Sequence, residues 1–279
     1  MRWRQQLTTQ LTLAVAALFV VLPLLWMARL GLDATINLRP TDFALFPKEL
    51  SFARIAQAWE EPRQGISFLG LLGNSLISAG SAALAALIVG LPAAYAFARL
   101  RFRGRRIGLI AMLTMIALPP AALAAPYFLF ISGLGLRRSL IGLVMAYTAI
   151  GAPFVVWTVR NAVLAISRDI EEAAMLEGAS GVRVFLQIVL PLCLPAIAVA
   201  GFIAFLVGWS EYAFGWAILS DPKLVTLAMA LNSMRDINSV SWGILSATSL
   251  LTALPVVVLF YLLGSAAIDG LSLGAARNE

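Results

Sequence analysis

The chain has no histidine and only one cysteine, Cys193, and just 12% of its residues are charged. The missing histidines remove the usual general base, and with one thiol there is neither a zinc-ligand set nor a disulfide framework. Soluble domains carry about 25% charge and about 45–50% apolar residues; here the apolar share is 61%. No G-x-x-x-x-G-K-[ST] phosphate loop occurs, so the chain is not expected to bind or hydrolyse ATP. No sequence repeat, linker or low-complexity tract divides residues 1–279, which read as one membrane domain.

What is present is apolar length. A membrane span needs about 20 mainly apolar residues. Six stretches qualify: Leu11 to Leu30, Phe68 to Ala98, Ile107 to Ile131, Leu140 to Val159, Pro191 to Ile218 and Trp242 to Gly264. The expected class is all-α integral membrane protein with six transmembrane helices. Arg2 and Arg4 precede the first stretch, but no small-residue cleavage site follows, so that stretch reads as an uncleaved span. The second exceeds the bilayer thickness and holds Pro92, which implies tilt, a kink or a projecting end. Its Ile77 to Ala83 segment is rich in small residues, which lets helices approach closely in lipid. The third contains Pro119, Pro120 and Pro126. Prolines free backbone carbonyls that lipid cannot satisfy, so this stretch is either a kinked structural helix or the wall of a water-filled path.

Arg99, Arg101, Arg103, Arg105 and Arg106 form the densest basic cluster. Positive loops stay cytoplasmic, which places both termini inside and puts Arg137 and Arg138 outside. The net charge of +6 suits loops that meet anionic headgroups and is not a nucleic-acid signal, because the basic residues flank apolar spans.

Between the fourth and fifth spans lies a polar segment, residues 167–191. Asp169 is the expected N-cap, with Glu172 completing a capping-box-like pair. Asp169, Glu171 and Glu172 suit the positive end of a helix dipole. Ala173, Ala174, Met175 and Leu176 favour helix, and Gly178 supplies the stop. Ser180 caps a second helix with an apolar stripe of Val182, Phe185, Leu186 and Val189, and Pro191 opens the next span. The result is a helix–turn–helix outside the bilayer. Glu211, in Gly208-Trp209-Ser210-Glu211-Tyr212, is the single carboxylate placed within a span. An ionisable group at that depth is a functional candidate; the alternative is an interfacial site with Trp209 and Tyr212 as belt aromatics.

Glu172-Ala173-Ala174, Gly178, Ile188, Leu190 and Pro191 match, position for position, the EAA loop of ATP-binding-cassette importer permeases. From about Asn74 to Thr226 the chain resembles the second permease subunit of maltose-type carbohydrate importers. The resemblance rests on Asn74-Ser75-Leu76, Ala94-Tyr95, Arg99, Phe102, Gly104, Pro120, Pro126, Gly135-Leu136, Pro153, Trp157 and Trp209-Ser210-Glu211-Tyr212. Three positions depart from it: Ser210 stands where Asn is usual, Ser167 where Pro is usual and Glu177 where Asp is usual.

The resemblance implies a type I importer permease in the bacterial cytoplasmic (inner) membrane. Its implied partners are a homologous second permease, two copies of an ABC ATPase that bind ATP and Mg, an extracytoplasmic solute-binding protein, a sugar and the lipid bilayer. Implied ATPase-coupling residues are Glu171, Glu172, Ala173, Ala174, Gly178, Ala179 and Ser180; implied pathway residues are Asn74, Trp209, Ser210, Glu211 and Tyr212. No metal, cofactor or catalytic residue is expected. An importer of amino acids, peptides or phosphonates is the nearest alternative. A secondary transporter would need more intramembrane carboxylates and commonly inverted repeats, and a membrane enzyme would need acid–base groups that are missing here.

Overall fold

The computed structural model describes residues 2–36, 40, 42–62, 65–234 and 241–275. Parts of the expected first and last loops (37–39, 41, 63, 64 and 235–240) and the tail 276–279 lie outside the described residues. Among those described, every named element is helical, and the one β feature is an isolated bridge between Asp33 and Leu50. The helices are α1 (Arg2–Leu32), α2 (Ala53–Glu60), α3 (Phe68–Arg99), α4 (Arg105–Ala117), α5 (Pro120–Gly133), α6 (Ile141–Ala165), α7 (Arg168–Leu176), α8 (Gly181–Val184), α9 (Leu190–Leu192), α10 (Leu194–Ser210), α11 (Ala213–Ile218), α12 (Leu227–Ser233) and α13 (Trp242–Ala275).

Four stretches among the described residues are long and apolar enough to cross a membrane: Gln6–Leu32, Phe68–Arg99, Ile141–Ala165 and Trp242–Leu263. Two bent pairs would bring the number to six, α4 with α5 at 103° and residues 181–192 with α10 at 80°. The expected third and fifth spans are therefore not continuous helices, and proline chemistry explains both. Residues before a proline are pushed out of the helical region. Leu118 and Pro119 accordingly sit at ψ 130° and 126°, and the helix breaks between them. Pro191 and Pro195 are four apart, and each clashes with the carbonyl four residues before it. Gln187, four before Pro191, lies in a π-helical segment, Phe185–Val189, and α10 restarts after Cys193. The expected span Pro191 to Ile218 also ends early, because Glu211 is extended and α11 begins separately at Ala213.

Contacts group the chain into two units: residues 1–70 with 230–254, and residues 71–229 with 255–279. In the first, Asp33 lies fully buried just past α1. Its carboxylate accepts from Thr35 N (3.0 Å), Thr35 Oγ1 (2.7 Å) and Lys48 N (3.0 Å), with Arg29 3.5 Å away. Burial pushes its pKa up, but the hydrogen bonds from Thr35 and Lys48 outweigh that and bring it to about 2. Arg29 also reaches Asp42 at 3.3 Å, and Arg54 donates to the Ile36 carbonyl and to Ser241 Oγ (2.6 Å). These contacts tie Asp33, Asp42 and Lys48 to the end of α1, and Ile36 and Ser241 to α2.

In the second unit α3, α6 and α10 pack closely. The buried face of α3 runs through Ser75, Ser78, Ala79, Ala82, Ala83 and Ala86, a helical repeat of small side chains. Gly208 of α10 sits so close that a Cβ there would lie 2.9 Å from Tyr147 and 3.1 Å from the Ala79 backbone. Ile131, Leu143, Ala146, Tyr147, Phe214 and Ile218 fill the core between α5, α6 and α11.

Candidate functional site

The polar hinge folds as two capped helices. The N-cap of α7 is Ser167, not Asp169: Ser167 Oγ accepts from Asp169 N at 3.3 Å and donates to Asp169 Oδ2 at 2.9 Å. Ser167 is the better cap because its short hydroxyl reaches the backbone donor two residues on. The expected Asp169–Glu172 capping box is therefore absent. At the other end Gly178 takes φ 91°, Ala179 N donates to the Ala174 carbonyl and Gly178 N to the Met175 carbonyl. These two bonds form a Schellman turn, which satisfies carbonyls left free at a helix C-terminus. Ser180 caps α8 by accepting from Arg183 N at 3.3 Å.

Glu171 and Glu172 diverge. Glu171 is buried: its Oε1 accepts from Arg99 Nε at 2.6 Å and its Oε2 from Tyr95 OH at 3.0 Å. Arg99 also donates to the Ile166 carbonyl at 2.7 Å, and Tyr95 lies against Phe185 with ring centroids 5.1 Å apart. This contact set pins the hinge to the C-terminal end of α3. Glu171 is thus held inside the chain by Arg99 and Tyr95. Glu172, Ala173, Gly178 and Ser180 are exposed, while Ala174 and Ala179 are half-buried. Around them lie exposed Ile170, Met175, Leu176 and Val182, of which Leu176 is 90% exposed. The expected stripe of the second helix is corrected in part: Val184, Phe185 and Val189 turn inward, whereas Val182 and Leu186 are exposed.

The five residues expected along a pathway are not one cluster. Ser210, Glu211 and Tyr212, at the break between α10 and α11, line a cavity of about 420 Å³ with Leu118 and Pro120 of the α4–α5 break and Phe154 of α6 on the facing side. Asn74 is elsewhere: its amide donates to the Lys223 and Val225 carbonyls at 2.7 and 2.9 Å. Trp209 is buried and stacked on Phe205 with centroids 5.2 Å apart. Ser210 Oγ donates to the Leu206 carbonyl at 2.8 Å. Glu211 Oε1 accepts from Ala213 N at 2.7 Å and Phe214 N at 3.1 Å, and Tyr147 OH donates to the Glu211 carbonyl at 3.3 Å. The carboxylate caps α11 and is not an unpartnered charge inside a continuous span. Sequence reasoning missed both the Glu211 cap and the Tyr95–Arg99–Glu171 contact.

A model described as "Binding-protein-dependent transport system inner membrane component" matches residues 86–269, which include the hinge and both helix breaks. The chain belongs to that family. It is a multi-pass inner-membrane transport component. Among its relatives, the diacetylchitobiose uptake system permease protein DasC of Streptomyces coelicolor is 27% identical over 96% of this chain and 95% of its own length. The melibiose/raffinose/stachyose import permease protein MelC of Bacillus subtilis is 30% identical over 84% of each. In fold, the chain is similar to one from the crystal structure of a bacterial ABC transporter involved in the import of the acidic polysaccharide alginate. The TM-score is 0.73, with 19% identity over 93% of this chain and 95% of that one.

Proposed function

We infer that this chain is the membrane-spanning permease subunit of an ATP-driven sugar importer. The observation that carries this is the family membership together with several sugar-permease relatives aligned over most of their length. As a permease subunit it performs no catalysis, and ATP and Mg belong to the partner ATPases. We assign it six spans, each bent pair counting as one, with both termini and the hinge cytoplasmic. Its partners would be a homologous permease, two ATPase copies and an extracytoplasmic solute-binding protein.

The hinge is the proposed ATPase contact. Its support is a rigid, doubly capped helix pair that presents Glu172 beside exposed Met175 and Leu176. An apolar patch rimmed by charge outside the bilayer is the pattern of an interaction surface. Ala173, Ala174, Gly178, Ala179 and Ser180 shape that surface, while Glu171 holds it to α3. The cavity beside Ser210, Glu211 and Tyr212 is the proposed solute contact within this subunit. Tyr212 is 39% exposed and can stack on a sugar ring while hydroxyls next to it bond the sugar.

The test is reconstitution of this chain with its neighbouring subunits and measurement of ATP-dependent sugar uptake. Glu172→Lys should insert normally, retain less ATPase on purification and abolish uptake. Normal uptake by that variant would overturn the hinge assignment. Uptake of amino acids with no uptake of any oligosaccharide would overturn the choice of sugar.

A further inference from the structure

The Arg-rich turn between α3 and α4 builds a groove that the transport reading does not use. Gly104 takes φ 86°, a left-handed conformation that favours glycine, and turns the chain back so that α4 runs past the end of α3. Phe97 packs so tightly beneath it that a Cβ on Gly108 would lie 3.0 Å from the ring. Phe102 meets Phe97 edge-on at 5.3 Å. Beside this aromatic floor opens a groove of about 490 Å³ lined by Arg105, Arg106 and Arg160, with Phe102, Ile107 and Leu109 as its apolar wall.

No acid lines the groove, and among the described residues none of these three arginines forms an ion pair. Arg160 donates only to neutral acceptors, the Phe97 carbonyl at 3.2 Å and Asn161 Oδ1 at 3.4 Å. Arg105 reaches the Ala98 carbonyl at 3.5 Å. Arg106 is exposed and forms no hydrogen bond to any described residue. Neighbouring Arg99, by contrast, is neutralised by Glu171. Three uncompensated guanidinium groups beside an apolar wall match a ligand with a phosphate at one end and hydrocarbon at the other. Ile107 is 73% exposed and Ile110 55%, so the apolar wall runs from the groove along the outside of α4.

We propose that this groove binds the phosphate headgroup of an anionic phospholipid, with its acyl chains along the exposed apolar side of α4. The proposal rests on the permease reading with this turn at the cytoplasmic surface. The bound lipid would brace the turn that holds Arg99 against the hinge. A free phosphate ester shares the headgroup chemistry but has nothing to place on Phe102, Ile107 and Leu109.

The test is native mass spectrometry of the assembled transporter in detergent. Phosphatidylglycerol, phosphatidylcholine and inorganic phosphate are titrated separately. The expected result is retained phosphatidylglycerol, little phosphatidylcholine and no competition from millimolar phosphate. Arg106→Gln should weaken retention roughly fivefold, as one surface charge facing an anionic lipid predicts. Arg160→Lys, which keeps charge but loses the planar fork, should weaken it less. The control Arg101→Gln/Arg103→Gln removes two charges from the same turn but outside the groove lining. Equal losses in the control and in Arg106→Gln would overturn the site in favour of diffuse attraction. Retention of phosphate but not of the lipid would overturn the lipid assignment. An assembled, transporting complex that retains no phosphatidylglycerol would overturn the proposal and leave the importer reading intact.

Discussion

At the level of single residues, adjacent Glu171 and Glu172 have separate surroundings. Glu171 and Arg99 are nearly inaccessible, with side chains 6% and 8% exposed. Removing one partner of a buried ion pair leaves an unpaired charge and costs about 3–5 kcal/mol. Glu171→Ala should therefore lower the thermal stability and yield of the complex sharply, and Glu171→Ala/Arg99→Met should recover part of the loss. An unchanged melting temperature in the single variant would show that the pair carries no weight. Glu211 calls for a different experiment because its carboxylate already accepts two backbone N–H groups. Glu211→Ala leaves those two N–H groups without their acceptor and should lose about 1–3 kcal/mol of local stability. Glu211→Gln keeps one acceptor oxygen and should lose less. After Cys193 is replaced, a cysteine at 211 should react with a small water-soluble thiol reagent in at least one nucleotide state. Full uptake by Glu211→Ala with no labelling in any state would leave the cap as its entire role.

At the level of elements, the hinge depends on a stop as much as on its helices. The Schellman turn at Gly178 sets the angle at which α8 leaves α7. An L side chain at φ 91° costs about 1–2 kcal/mol. Gly178→Ala should keep α7 helical but disturb the exit, so ATPase retention should fall more than membrane insertion does. Equal ATPase retention in wild type and variant would refute a coupling role for the turn geometry. The same logic explains the bent pairs. Pro119 with Pro120 and Pro191 with Pro195 give bends of 103° and 80°, which are angles too large for flexible but intact helices. The break at Pro119 and Pro120 and the separate break between α10 and α11 at Glu211 border the cavity lined by Ser210, Glu211 and Tyr212.

At the level of the whole molecule, the proposed topology depends on where the positive charges lie. The five-arginine turn and the hinge share one end of the second unit, because Arg99 bonds Glu171 across them. Arg137, at the other end of α6, lies over the Phe128 ring at 4.6 Å. The proposed topology therefore puts Arg137 and Arg138 outside, opposite the five-arginine turn. Reporter fusions at Glu279 and within residues 219–234 should accordingly give opposite compartments. A periplasmic signal at Glu279 would rule out the six-span assignment.

Hydropathy, proline positions and turn chemistry act over a few residues, so the sequence by itself determined much of the local structure. It determined the helical class, the second and fourth spans, read as Phe68 to Ala98 and Leu140 to Val159, the stop at Gly178 and the cap at Ser180. The family was equally legible, because the EAA residues keep fixed spacing within one segment. The small-residue face of α3 followed from composition, and its burial bears the reading out. Only the tertiary structure decided which of two adjacent acids is held inside, since that depends on Arg99 and Tyr95 more than seventy positions away. It also decided that Asn74 and Trp209 lie apart from the cavity lined by Ser210, Glu211 and Tyr212. Backbone geometry near a residue can be read from its neighbours, but the partner of a buried polar group is set by whichever distant helix packs against it.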